Sequence, residues 1–357
     1  MSELVAGPHT RAPVSLPALM RQVLLAAVPA TAFGVWLYGW PALYLLVITL
    51  ASALAGEAVS LRAAGRPVRS GLGDGSALVA GWILAMSLPP WAPWWIGAIG
   101  GLLATVLGKG VFGGTGQNPF NPAMAARVAL LVAFPAAMTR WVAPAPLGTE
   151  QAPGLLASLR ITFLGGADWD AVTSATTLDA TRTAITQGQS IQAALPEAYD
   201  PALAVLGYAA GSLAEGSALL LAAGGVYLIH RRVIPWETPL VLLATLAVLA
   251  TGFHALDPQR YHDAGVHLLA GSTVLAAFFI ATDPTTSPAT AAGRAVFAAG
   301  CAATIWIVRT YGGYPEATAF AVLLMNACTP LIDRWIRPRV YGRTRRGTPL
   351  PTGEENP

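Results

Sequence analysis

From Gln22 to Gly56 the chain reads QVLLAAVPATAFGVWLYGWPALYLLVITLASALAG, without one Asp, Glu, Lys or Arg. A helix needs about 20 predominantly apolar residues to cross a bilayer, so this block holds two spans, near 22–39 and 41–58. A second uncharged block, Gly75 to Gly108, holds two more, near 74–90 and 92–110. They part at Leu88-Pro89-Pro90-Trp91-Ala92-Pro93-Trp94-Trp95, where prolines stop a helix and tryptophans favour the headgroup region. Further spans are predicted near 121–138, 204–229, 237–254, 265–282, 293–310 and 316–335. The expected fold is therefore an all-α polytopic membrane protein of about ten transmembrane helices. Composition agrees: 11% of residues are charged and 54% hydrophobic, mean hydropathy is +0.55, and a soluble domain carries about 25% charged residues. The first apolar block runs straight into another without a small-residue cleavage site, so it reads as a span and not a removed signal peptide.

Direction follows from arginine placement, since cytoplasmic loops are enriched in Lys and Arg. Arg11 and Arg21 precede the first span; Arg62, Arg66 and Arg69 follow the second. Lys109 and Arg127 flank the turn between the fourth and fifth, Arg231 and Arg232 follow the sixth, and Arg294 separates the eighth and ninth. With ten spans and both termini in the cytoplasm, all of these share one side. The expected organisation is a cytoplasmic segment 1–21, a five-helix bundle 22–138, a long extracytoplasmic loop 139–203, a second five-helix bundle 204–335 and a basic cytoplasmic tail 336–357. The loop's charges agree: Arg140, Arg160 and Arg182 stand against Glu150, Asp168, Asp170, Asp179, Glu197 and Asp200. The net charge of +3 does not suggest nucleic acid, because the basic residues sit where orientation signals belong.

Lys109-Gly110-Val111-Phe112-Gly113-Gly114 and the apolar span after it echo Arg309-Thr310-Tyr311-Gly312-Gly313-Tyr314-Pro315 and its following span. The echo points to two inverted five-helix repeats, an architecture with its site near the midplane. Chance likeness between glycine-rich turns is the rival explanation.

Several groups of residues can carry chemistry. Gly113-Gly114-Thr115-Gly116-Gln117-Asn118-Pro119-Phe120-Asn121-Pro122 lies between spans. Irregular backbone near a membrane persists only where it is buried in protein or lines a cavity. Asn118 and Asn121 can bind a ligand edge there, or simply cap the next helix. Three acids, Asp74, Glu215 and Asp283, fall in or beside spans and are ion-pathway candidates, since a mid-span acid costs about 2.5–3.5 kcal/mol on insertion scales. Glu215 is expected deepest, well inside span six; Asp74 and Asp283 sit near span ends and read as caps or turns. His254, His262 and His267 lack metal-pair spacing and read as interfacial or solvated. Cys301 and Cys328 read as small apolar helix residues. No metal centre is expected, and no Cys-x-x-Cys, P-loop, dinucleotide fingerprint or nucleophile elbow is present. From these features alone, a transporter or channel with an inverted repeat is a full alternative to a redox role.

The external segment also contains Asp170-Ala171-Val172-Thr173-Ser174-Ala175-Thr176-Thr177-Leu178, which resembles the flavin-attachment motif D-[AG]-x-[ST]-[GS]-A-T of ion-pumping redox complexes. An ordinary Ser/Thr-rich surface loop is the plainer reading of those nine residues. More of the chain joins the resemblance: Phe112 through Ala123, Phe278-Phe279-Ile280-Ala281-Thr282-Asp283-Pro284-Thr285-Thr286-Ser287-Pro288, Arg309 through Asn326, and Arg337-Pro338-Arg339-Val340-Tyr341-Gly342. From about residue 20 to 342 the sequence resembles the D subunits of Rnf electron-transport complexes and, more distantly, the B subunits of sodium-pumping NADH:quinone oxidoreductases. The resemblance implies FMN joined through its phosphate to Thr176 by a flavin transferase, with Asp170, Thr173 and Ser174 around it. It also implies a second, non-covalent flavin, expected to be riboflavin, with Asn118 and Asn121 as candidates. It further implies partner subunits that handle ferredoxin or flavodoxin and NAD(H), a bacterial inner-membrane location, and coupling to Na+ or H+, for which Glu215 is the first acid to test. Ser174 stands where glycine is common and Thr177 where proline is frequent, so Thr177 rivals Thr176 as the acceptor. A purely structural anchor for partner subunits is the third reading.

Overall fold

Helix α1 (Leu16–Tyr38) and helix α2 (Trp40–Ala63) are joined by Gly39 alone, whose φ of 79° turns the chain in one residue. A computed structural model describes residues 15–166, 173–312, 314 and 316–338. Helix α3 (Ser76–Ser87) ends before the proline-tryptophan turn, and helix α4 (Trp94–Leu102) continues as a π-helical turn to Leu107. Helix α5 (Pro122–Ala133) closes the first half. In hydrocarbon, helices pack where small residues let their backbones approach. Gly97 and Gly101 of α4 face α2: a Cβ on Gly101 would strike Ser52 Oγ and the Thr49 backbone. Ser52 Oγ donates to the Gly97 carbonyl at 3.2 Å across the same contact.

Between the halves lie α6 (Leu155–Leu164), α7 (Thr177–Thr186) and two short helices, Ile191–Ala198 and Pro201–Leu206. The loop expected over 139–203 thus carries helices of its own. It is tied to the end of α1: the amides of Ala145 and Leu147 donate to the carbonyls of Leu37 and Trp36 at 2.9 and 2.8 Å. Leu37, Tyr38, Trp91, Val142, Ile161 and Leu213 form a small second core beneath it.

The second half comprises α8 (Ala218–His230), α9 (Glu237–Leu256), α10 (Ala264–Leu269), α11 (Ala291–Tyr311) and α12 (Thr318–Trp335). Helix α9 runs along α11 as α2 runs along α4. Gly224 of α8 abuts the Ala26 carbonyl of α1, and Gly225 abuts the Phe278 ring. Among the described residues the architecture is helical, and the one strand-like contact is an antiparallel bridge between Val142 and Thr173. Among the same residues five helices are long and apolar enough to cross a membrane: α1, α2, Trp94–Phe112, α9 and α11; α3, α5, α6 and α8 are shorter and apolar.

Three predicted spans are interrupted; the one expected over 121–138 breaks at Phe134, between Pro122–Ala133 and a short turn Pro135–Met138. The helix expected from 204 begins only at Ala218, after a one-turn 3-10 helix Leu213–Gly216. Gly207, at φ 93°, lies against the Gly216 carbonyl with no room for a side chain. The span expected over 265–282 breaks at Ala270-Gly271-Ser272 and resumes as Thr273–Leu275 and a π turn, Ala276–Ile280. Gly271, at φ 71°, passes against the Glu316 carboxylate and the Arg309 guanidinium. In these last two breaks irregular backbone faces protein polar groups, the setting in which a membrane tolerates it.

Candidate functional site

Thr176 is the N-cap of α7. Its Oγ1 accepts the Asp179 amide at 3.2 Å and donates to Asp179 Oδ2 at 3.1 Å. The bridge at Thr173 and the Ser174 amide, which donates to the Trp141 carbonyl at 3.1 Å, hold the preceding residues extended. The candidate acceptor oxygen therefore sits at a helix N-terminus, where free N–H groups and the helix dipole favour an anion. Thr177, the rival acceptor, is the first helical residue and equally buried. Beside them a cavity with about 1340 Å³ of empty volume is bordered by Ser174, Ala175, Thr177, Tyr199 and Tyr208. Burial holds the Asp179 carboxyl above its ordinary value, against the opposing effects of the Thr176 hydrogen bond and Arg182. Asp170, with Ala171 and Val172, lies outside the described residues.

A second cavity opens near the N-terminal end of α1, away from the 139–203 segment. Its empty volume is about 850 Å³; Val23, Ile83, Phe278 and Phe279 supply apolar wall, and Lys109, Asn118, Asn121 and Asp283 a polar side. Asn121 caps α5 by accepting the Met124 amide at 3.2 Å, and its own amide donates to Asn326 Oδ1 at 3.0 Å. Its Nδ2 donates to Asp283 Oδ2 at 3.4 Å. Capping and cavity lining are thus both true of Asn121. Asn118 donates to the Phe120 carbonyl at 3.0 Å, which fixes the turn. Asp283 receives the Thr285 amide at 3.0 Å and the Thr286 hydroxyl at 3.3 Å. Asp74 receives the Ser76 amide at 2.7 Å and the Thr115 hydroxyl at 2.9 Å. Both acids hold turns, as their places near span ends suggested.

Glu215 is not inside a helical span. Its Oε1 accepts the Ser212 amide at 3.1 Å and the Ser212 hydroxyl at 2.7 Å, closing the turn ahead of α8. It lies within electrostatic reach of Arg127 and Glu316. Glu316 was not singled out from sequence, yet it is the centre of a buried network. Arg309 Nη2 lies 3.0 Å from Glu316 Oε1, Arg127 Nη2 3.8 Å from its Oε2, and Ser272 donates through both its amide and its hydroxyl. Glu57, also missed, pairs with Lys109 at 2.8 Å, and Lys109 donates to Ser76 Oγ at 2.7 Å. Lys109 and Arg127, counted from sequence among the charges of one side, are therefore buried ion-pair partners as well. The available clue was energetic: a base inside an apolar block calls for an acid partner. Of the histidines read as interfacial or solvated, His267 is buried at 2% exposed, and the half-buried His262 has its ring 5.9 Å away. His262 Nε2 lies 3.1 Å from Thr181 Oγ1, a contact between distant parts of the chain. Among the described residues no group of three or more His, Cys, Asp or Glu is placed to hold a metal.

The family model described as the NQR2, RnfD, RnfE family matches residues 3–342. The chain belongs to that family. It is 82% identical, over the whole length of both chains, to a Halorhodospira halophila protein named as the D subunit of an ion-translocating oxidoreductase complex. A Stutzerimonas stutzeri protein of the same name is 53% identical over 94% of this chain and 95% of its own. A Rhodobacter capsulatus protein, also so named, is 45% identical over 85% of this chain and 84% of its own.

Proposed function

We propose that this chain is the membrane subunit of an ion-translocating oxidoreductase complex and relays electrons through FMN esterified to Thr176. The observation that carries the assignment to such a complex is the end-to-end 82% identity to a protein named as its D subunit; the flavin rests on the motif around Thr176. The residues present fit the group. The Thr176 oxygen sits at the N-terminus of α7, whose N–H groups suit a phosphodiester, and the adjoining cavity past Ser174 and Ala175 offers room for a ring system. Bound FMN supplies one-electron transfer, while the protein holds and tunes it. Thr176 would anchor the phosphate, with the small residues Ser174 and Ala175 between it and the adjoining space. Tyr199 and Tyr208 border the space beside it. A second, non-covalent flavin, riboflavin, belongs in the opposite cavity, where Phe278 and Phe279 suit an apolar ring and Asn118, Asn121 and Lys109 suit its polar edge.

The chain crosses a bacterial inner membrane ten times with both ends in the cytoplasm and residues 139–203 outside. The likeness between the α2–α4 and α9–α11 pairings supports two inverted five-helix repeats. Partner subunits supply the sites for ferredoxin or flavodoxin and for NAD(H). Electron flow is coupled to Na+ or H+ movement, and Glu215, set beside the Arg127–Glu316 network, is the acid of this chain that responds. A transporter or channel without redox chemistry shares the repeat argument, but this chain's relatives are named as subunits of an oxidoreductase complex.

The test is in-gel flavin fluorescence of the denatured chain, expressed with a flavin transferase, with Thr176→Ala and Thr177→Ala beside wild type. Loss only in Thr176→Ala is expected. Loss only in Thr177→Ala moves the attachment by one residue, and a dark wild type rejects the covalent flavin.

A further inference from the structure

A separate cavity lies between α7, the 257–263 connection and the adjoining ends of α10 and α11, with about 660 Å³ of empty volume. Arg182, Arg260, His262, His267 and Arg309 border it, and among the described residues no Asp or Glu does. Four buried nitrogens on these side chains have no hydrogen-bond partner among the described residues: Arg182 Nη1, His262 Nδ1, His267 Nδ1 and Arg309 Nε. His267 and Arg309 are 2% and 9% exposed, so solvent does not satisfy them freely.

The remaining groups on these side chains are spoken for. Arg309 Nη1 donates to the His267 carbonyl at 2.9 Å, and Nη2 to Glu316 at 3.0 Å. Arg182 Nη2 donates to the Gly312 carbonyl. Glu316 is shared between Arg309 and Arg127, which Glu215 also reaches, and Asp179 lies within electrostatic reach of Arg182. Asp263 accepts the Val266 amide at 2.9 Å at the start of α10. What remains is a set of unsatisfied nitrogens around one space that no described carboxylate lines. Buried polar groups are normally hydrogen-bonded, so the unpartnered guanidinium nitrogens of Arg182 and Arg309, both residues lining the cavity, call for an acceptor. Arginine forks match the oxygens of phosphate.

We propose that this cavity binds a phosphate-type oxyanion, held by Arg182, Arg260 and Arg309 with His267 beside them. Two sources present the same chemistry: free inorganic phosphate, and the phosphodiester headgroup of an anionic lipid. The site stands whether or not Thr176 carries a flavin.

The test uses the full chain produced without a flavin transferase, in nanodiscs, with thermal unfolding followed by tryptophan fluorescence. One series titrates inorganic phosphate into phosphatidylcholine discs; the other replaces part of that lipid with phosphatidylglycerol. A saturable rise in midpoint with phosphate assigns the free anion. A rise only with phosphatidylglycerol assigns the headgroup. In either case Arg182→Gln and Arg260→Gln should each weaken the effect roughly tenfold, the loss expected for one charge-assisted hydrogen bond. Arg260→Gln keeps the test valid if Arg182→Gln folds poorly, because Arg260 is exposed and makes a cation–π contact with Tyr261 at 5.8 Å and an electrostatic one with Tyr311. No rise in either series, or a non-saturating rise unchanged in both variants, as general salt exclusion gives, overturns the proposal.

Discussion

Replacing Lys109 by methionine tests how the first half of the bundle tolerates charge. The Lys109–Glu57 pair is 2.8 Å long with side chains 3% and 4% exposed, and Glu57 Oε2 has no partner among the described residues. The substitution keeps the length of the side chain but strands a carboxylate in a low-dielectric interior. Breaking a buried pair from one side costs about 3–5 kcal/mol, and the lost bond from Lys109 to Ser76 Oγ, 2.7 Å long, adds about 1 kcal/mol. The double variant Glu57→Gln/Lys109→Met removes both charges, so it should recover about 2–3 kcal/mol of the single variant's loss. Thermal or denaturant unfolding of the purified chain in one detergent, with wild type, Lys109→Met, Glu57→Gln and the double variant, closes the cycle. A single variant within about 1 kcal/mol of wild type, or a double variant no better than the single, would refute the account, because the pair would then be hydrated and not buried.

Four other outcomes are expected. Thr176→Ala should lower stability by about 1 kcal/mol through loss of the α7 cap, whereas Thr176→Ser should not; unfolding midpoints of the flavin-free chain decide this apart from any cofactor. Asn121→Ala removes the cap of α5 and the link to Asp283, and should cost about 1–3 kcal/mol while releasing non-covalent flavin on gel filtration. Burial, with Arg309 and His254 adding to it against Asp263, pushes the His262 imidazole down to about 4 from an ordinary 6.5. The unfolded chain therefore holds one more proton between those values, and stability should fall as pH drops from 6.5 toward 4, by at most about 1.4 kcal/mol per pH unit; the slope should flatten in His262→Gln. Gly225→Leu would drive a side chain into the Phe278 ring, and should cost about 1–3 kcal/mol or more by overpacking, read as a lower midpoint and poorer yield.

Much of the fold was legible because a bilayer imposes simple rules on sequence. The uncharged block 22–56 became α1 and α2, and the proline-tryptophan turn at 88–95 became the end of α3 and start of α4. Asn118, Asn121 and Asp283 came together because irregular, Asn- and Pro-rich backbone must line something. What escaped was pairing at long range. Glu316 was passed over in the sequence, and Arg127 was counted only as a charge beside a turn, until the chain just before α12 met α5. Glu215 sits in a turn and not mid-span because Gly207 and Gly211 break an otherwise apolar run, and hydropathy averages over that break.

The sequence by itself determined that the chain is a helical membrane protein, where most of its helices lie, and which family it resembles, since these depend on local hydropathy and contiguous motifs. Only the tertiary structure decided which charges are neutralised by which. It joined Glu57 to Lys109 and Glu316 to Arg127 and Arg309, and left the cavity beside Arg182 with donors and no acidic acceptor among the described residues. The physical reason is that burial makes an unpaired charge costly, and the partner that relieves it is chosen by proximity in space, which separation along the chain does not reveal.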